Sequence, residues 1–190
     1  ARQNHDWELL PNGNRILLVT EPRTVEALGP SVVGDQGLVE VDHTGDVVWR
    51  WLAGDHLDEL GFSDLGWEAL RHTVARDPDD PWGYLEMNSA KALGANRWHD
   101  ADPGTVFHPD NILVSFRKAN IVALIEKPSG RIVWRLGPYF DAAPGAQHQR
   151  ISTHKVPRPL DQISGQHNPH MIAPGLPGGG NILVFDNQGG

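Results

Sequence analysis

A repeat constrains this chain more than any single motif does. "NGNRILLV" (12–19), "PDNILVSF" (109–116) and "GGNILVFD" (179–186) each run from a turn ending in Asn into a short, mainly apolar strand anchored by Ile16, Ile112 or Ile182. A second element follows the first two: "LVEVDHTGDVVWRWL" (38–52) matches "IVALIEKPSGRIVWRL" (121–136). Both read as strand, Gly-containing turn, then strand through Val-Trp-Arg, which is a hairpin pattern. Trp49 and Trp134 fall at equivalent places. Ahead of each unit lies another strand candidate: "DWELLP" (6–11), "LEMNSAKAL" (85–93) and "NPHMIAP" (168–174). Four antiparallel strands per repeating unit is the build of a β-propeller blade. A β-sandwich uses similar strands but does not repeat a Gly-x-Val/Ile-Val-Trp signature, so the propeller is favoured.

The expected fold is therefore all-β, with blade-like units at about 1–55, 84–137 and 163–190, an insertion at 56–83 and a linker at 138–162. Only about two and a half blades are present, against the 4–8 of a typical ring. A partial arc is expected, completed by the rest of a longer chain or by other subunits. In the insertion, Leu57, Leu60, Leu65 and Leu70 with Trp67 suggest an amphipathic helical stripe, interrupted by Gly61 and Gly66, lying over one end of the propeller. The 21 Gly and 15 Pro residues cluster between the apolar runs, as turns require.

Charge and composition exclude several functions. A formal net charge of −8 is wrong for a nucleic-acid or anionic-membrane surface. The chain has no cysteine, hence no disulfide, thiolate nucleophile or Cys-bound metal. No apolar run reaches the roughly 20 residues of a membrane helix, so no membrane insertion is expected. His167 and His170 in "HNPH" cannot share a metal, since strand residues three apart point to opposite faces and Pro169 forbids a helix. Asp77, Asp79 and Asp80 in "RDPDDPWG" lack EF-hand spacing and read as a solvated loop. "PGLPGGGN" (174–181) has no Lys-Ser/Thr ending and precedes a strand, so it is a turn and not a phosphate loop. No cofactor or metal is called for. Of the seven tryptophans, Trp49 and Trp134 suit packing between blades, while Trp7, Trp82 and Trp98 are freer to line a pocket.

Taken in order, "HDWELLPNGNRILLV", "MNSAKAL", "NILVSFR", "GRIVWRLG" and "QH" followed by "GGGNILVFDN" resemble the arylsulfotransferase family of β-propellers. The resemblance covers most of the chain outside 56–83 and 138–162. It implies a six-bladed, periplasmic or extracellular enzyme. Such an enzyme moves a sulfuryl group from a phenolic sulfate ester to a phenol, through a sulfohistidine and without a nucleotide donor. The matching nucleophile is His167. Arg117 matches the family's oxyanion-clamping Arg, Asn88 its Asn, and His5 with Asp6 its early His-Asp element. Where the family has His before x-Asn, this chain has Glu86, a carboxylate that repels a bound sulfate unless protonated or paired. Imidazole is a competent nucleophile near neutral pH, a guanidinium suits tetrahedral oxyanions, and an amide can serve as an oxyanion donor. Glu86, Trp7 and Trp82 are the expected substrate contacts. The alternative is a non-catalytic propeller that binds ligands or proteins at its channel mouth.

Overall fold

A computed structural model describes residues 2–137 and 163–187. The first blade is a four-stranded antiparallel sheet of β1 (Arg2–Leu9), β2 (Arg15–Thr24), β3 (Val32–Val41) and β4 (Val47–Leu52), in that order. The second repeats it with β5 (Met87–Ala92), β6 (Ile112–Phe116), β7 (Ile121–Ile125) and β8 (Ile132–Leu136). A third, two-stranded sheet pairs β9 (His167–Met171) with β10 (Ile182–Phe185). The repeat thus folds as blades, and the inner strands line up, β1 packing on β5 and β5 on β9. The expected linker at 138–162 lies outside the described residues.

The Asn of each repeat closes the same turn. Backbone N–H groups of Leu10, Leu93 and Ile172 donate to the carbonyls of Asn14, Asn111 and Asn181 at 2.8, 3.0 and 2.9 Å. Outer hairpins match as well: the N–H of Asp42 reaches the Asp46 carbonyl at 3.0 Å, and that of Glu126 reaches Arg131 at 2.8 Å.

Burial follows from which faces are covered. Every residue of β6 and β7 is buried, because the second blade is packed between its two neighbours. In β10 burial alternates, leaving Leu183 and Phe185 exposed. One core, with Ile16, Leu38, Trp51, Met87, Phe116 and Ile121, fills the space between blades one and two. A second, with Leu113, Leu124 and Met171, joins blades two and three. Trp49 and Trp51 do bridge blades: their indole N–H groups donate to the carbonyls of Lys127 (3.1 Å) and Gly130 (2.8 Å) in the next outer hairpin. Trp134 packs in the second core beside Phe107.

The insertion is helical as expected, with a 3-10 turn (Leu57–Leu60) and helix α1 (Asp64–Arg76) capped by Ser63. Leu57, Leu60 and Leu70 of the expected stripe are buried and Trp67 packs on the core, but Leu65 departs from it. The insertion wedges between the outer parts of the first two blades, where Arg135 donates to the Leu60 carbonyl at 2.6 Å and Arg71 to that of Ala27 at 3.0 Å. Leu65 is exposed, and Ala69 and Val74 join Leu70 on the buried face. The short helix α2 (Arg97–Ala101) is an addition, started by Asn96, whose side chain accepts from the N–H groups of Trp98 and His99.

Candidate functional site

The inner strands converge at one end of the arc, where each carries a defect. Register slips occur between Gln3 and Trp7 in β1, between Met87 and Ser89 in β5, and between Leu183 and Phe185 in β10 opposite β9. At or beside each slip one non-glycine residue takes the left-handed conformation: His5 (φ 47°), Glu86 (φ 51°) and Asn168 (φ 47°). Bulges of this kind re-aim side chains, and left-handed backbone at a residue with a Cβ costs about 1–3 kcal/mol, held in place by surrounding packing.

Glu86 is buried, and both its carboxylate oxygens accept from Arg117 Nη1, at 2.9 and 2.8 Å. Its backbone carbonyl also accepts from the Arg117 N–H at 3.0 Å, so chain and side chain are tied twice. Nη2 and Nε of Arg117 meet no protein acceptor among the described residues.

His167 is half-buried, with Nδ1 2.9 Å from the Gly165 carbonyl. The carbonyl can only accept, so this contact calls for the proton on Nδ1 and the lone pair on Nε2. Asn187 Nδ2, a donor, lies 3.0 Å from the same nitrogen and calls for the opposite tautomer, so both contacts of the ring fall on Nδ1 and neither on Nε2. The backbone before His167 is clamped to blade two. Asn88 Nδ2 donates to the Gln166 carbonyl at 2.9 Å, and Gln166 Nε2 donates to the carbonyls of Phe116 (3.1 Å) and Ile121 (3.0 Å). The Gly165 N–H donates to Asn120 Oδ1 at 3.1 Å. Asn88 Oδ1 and Gln166 Oε1 are buried with no hydrogen-bond partner among the described residues.

His5 is exposed at the rim, its ring 4.9 Å from that of Trp82. Burial of the ring on its packed side is the leading influence and pulls its pKa below the ordinary 6.5. His167 and Arg117 push the same way, while Glu86 and Asp6 oppose. Those influences place His5, Glu86, Arg117 and His167 in one electrostatic neighbourhood. Beside it, Lys91 on β5 bridges Asp6 Oδ2 (3.1 Å) and Glu8 Oε2 (3.2 Å) of β1. Burial works against the Lys91 charge, but the two carboxylates outweigh it and raise its pKa.

The site expected from sequence is thus partly assembled. His5, Glu86, Arg117, His167 and Trp82 come together. Asn88 sits beneath His167 and spends a donor on Gln166. Trp7 is exposed on the face of β1 opposite Asp6 and Glu8, because neighbouring strand residues point apart. Trp98 lies elsewhere, its indole donating to the Gly180 carbonyl at 2.6 Å. Asp80, expected in a solvated loop, is largely buried, pairs with Lys118 and accepts from the Trp82 N–H at 2.9 Å. Sequence reasoning also passed over Gln36 and Gln166. Gln36 Oε1 accepts from the Met87 N–H at 2.9 Å and holds the turn after Glu86. Both amides bond backbone groups of another blade or segment, which leaves no local sequence signal.

Such an arrangement offers two imidazoles, guanidinium donors suited to an oxyanion and an indole ring. A family model described as arylsulfotransferase (ASST) matches residues 1–190. No curated protein matches the chain.

Proposed function

The chain belongs to the arylsulfotransferase family, and from that premise we propose that it transfers a sulfuryl group from a phenolic sulfate ester to a phenol through a covalent sulfohistidine at His167. The observation that carries this reading is that Gly165 and Asn187 both engage Nδ1 of His167, which leaves Nε2 without a protein partner among the described residues. In the tautomer whose Nδ1–H donates to the Gly165 carbonyl, the lone pair of Nε2 lies on the side of the ring away from that bond and is the attacking atom. In the first half-reaction Nε2 attacks sulfur, the S–N bond forms, and the aryl S–O bond breaks with its electron pair leaving on the phenolate. In the second, the acceptor phenol oxygen attacks sulfur and the S–N bond breaks. His5, whose pKa is lowered chiefly by burial of its packed side, takes the phenol's proton.

Arg117 Nη2 and Nε serve as donors to the sulfuryl oxygens, where charge builds in the transition state. Trp82, against His5, supplies a face for the aryl ring. Asn88 is a positioning residue, fixing the Gln166 carbonyl and hence the strand that carries the nucleophile.

Brief incubation with 4-nitrophenyl sulfate, an alkaline quench and mass spectrometry test the proposal. A sulfuryl adduct on the His167 peptide is expected, discharged by added phenol and missing in His167→Ala. A folded protein that neither forms the adduct nor releases nitrophenol rules the transfer out. The rival reading, a binding propeller without chemistry, then takes its place.

A further inference from the structure

We propose that Glu86 sets the charge of the anion this site admits, so that it takes monoanionic esters and turns away dianionic ones. With a sulfuryl-binding site as the premise, the excluded class is phosphate monoesters, which match sulfate esters in size and tetrahedral shape but carry one more charge at neutral pH.

The anion-binding cation is not free to act as a full positive charge. Arg117 is bonded through Nη1 to both oxygens of a carboxylate that is itself buried, with an 11% exposed side chain. Neither partner can readily swing away. The Glu86 carbonyl is held by the Arg117 N–H, the Met87 N–H is held by Gln36, and the backbone at Glu86 is left-handed. Next along the inner strands, Lys91 is engaged by both Asp6 and Glu8. Among the described residues, Arg117 and Lys91 therefore face Glu86, Asp6 and Glu8 at the inner end of the site, while Arg2 lies at the rim, donating to the Pro81 carbonyl at 3.3 Å. Donors remain on Arg117, so one anionic charge is accommodated by hydrogen bonds. A second negative charge meets the Glu86 carboxylate, and no further described cation stands beside Arg117 to offset it. This is discrimination by repulsion, built from an element that lowers affinity for both anions but lowers it more for one.

At contact distance in a partly buried site, one unit of charge is worth roughly 10- to 100-fold in affinity. The expected observation uses Trp82 fluorescence at about pH 8, above the second ionisation of a phosphate ester near 6. Wild-type protein binds phenyl sulfate at least about 10-fold more tightly than phenyl phosphate. It also binds methyl phenyl phosphate, a monoanionic diester, more tightly than the dianionic monoester. In Glu86→Gln, phenyl phosphate gains about 10-fold or more and phenyl sulfate clearly less, closing the gap. Equal gains for both ligands in Glu86→Gln, or a wild-type protein that holds the monoester as tightly as the sulfate and the diester, overturns the proposal. The diester comparison needs no mutation, so it decides the matter even where Glu86→Gln does not fold. Binding and turnover fail separately. Discrimination without a His167 adduct removes the transfer reading alone, turnover without discrimination removes the charge rule alone, and no binding of any of the three ligands removes both.

Discussion

Replacing Tyr84 by phenylalanine isolates the buried network that braces the approach to Glu86. The Tyr84 hydroxyl donates to Asp35 Oδ1 at 2.6 Å, with both residues buried. Asp35 is also met by Arg23 Nε at 3.2 Å and the Gly54 N–H at 3.0 Å. Burial, then the neighbouring carboxylate, raises the phenol well above its ordinary ionisation, so it is a donor throughout the working range. A hydrogen bond to a charged group contributes about 1.5–3 kcal/mol, and Tyr84→Phe removes it without changing the shape of the core. The expected loss at pH 8 is about 2 kcal/mol, or a fall in Tm of about 4–8 °C for a chain of this size.

The pH dependence of that loss is the sharper test. Burial raises the Asp35 carboxyl above its ordinary 3.8, and the Tyr84 hydroxyl is the largest influence pulling it back. An acid whose folded pKa is raised contributes most below its unfolded pKa and loses that contribution as pH climbs through the folded value. Without the hydroxyl the folded pKa rises further, so the variant loses stability over a wider window, by about 1.4 kcal/mol for each additional unit. Urea unfolding at pH 5 and pH 8, followed by tryptophan fluorescence, should give a larger difference between variant and wild type at pH 8. A difference below about 0.5 kcal/mol, or one of equal size at both pH values, would refute the reasoning.

Three further outcomes are expected. Gly37→Ala should destabilise the fold by about 3 kcal/mol or more in urea unfolding, because its Cβ would lie 2.2 Å from the Trp51 carbonyl oxygen and neither backbone can yield. Asn88→Asp should lower kcat for aryl-sulfate turnover by roughly 10- to 100-fold with KM changed less, since a carboxylate facing the Gln166 carbonyl displaces the strand bearing His167, while Asn88→Gln restores part of it. His5→Gln should flatten the part of the acid limb of kcat/KM that depends on His5. In wild type that limb falls below pH 6.5, because the His5 pKa is lowered and the ring stays a base down to more acidic solution. An unchanged acid limb would remove His5 from the proton transfer.

The blades were legible in the sequence because a turn ending in Asn, followed by alternating or continuous apolar residues, constrains the chain locally. Asn14, Asn111 and Asn181 close the same hydrogen bond in each unit. Helix α2 was not legible: its five residues carry too little periodicity, and only Asn96 marks its start. Leu65 was misassigned because spacing alone does not fix which side of a short helix faces the core. For the site, His5, Arg117 and His167 were identified by family resemblance and not by pattern. The roles of Gln36, Gln166 and Asn88 depend on carbonyls and N–H groups 45 to 78 residues away in the chain. No window of sequence carries that information. Glu86 was recognisable as a departure, but its pairing with Arg117 appears only once β5 and β6 are side by side.

The left-handed kinks at His5, Glu86 and Asn168 fall at different distances from the turns that close their hairpins, so they are imposed by strand pairing and not by one residue type. Whatever stands there must tolerate positive φ. Gly does so freely, Asn, Asp and His more readily than most, and Glu86 shows that packing can hold a Glu there, whereas Val, Ile and Thr are the most disfavoured because of their branched Cβ. The groups at these kinks are thus drawn from a restricted alphabet, and it happens to be rich in acids, amides and imidazoles. A scaffold of this kind can exchange one polar function for another at its mouth by single substitutions, without disturbing the blades beneath.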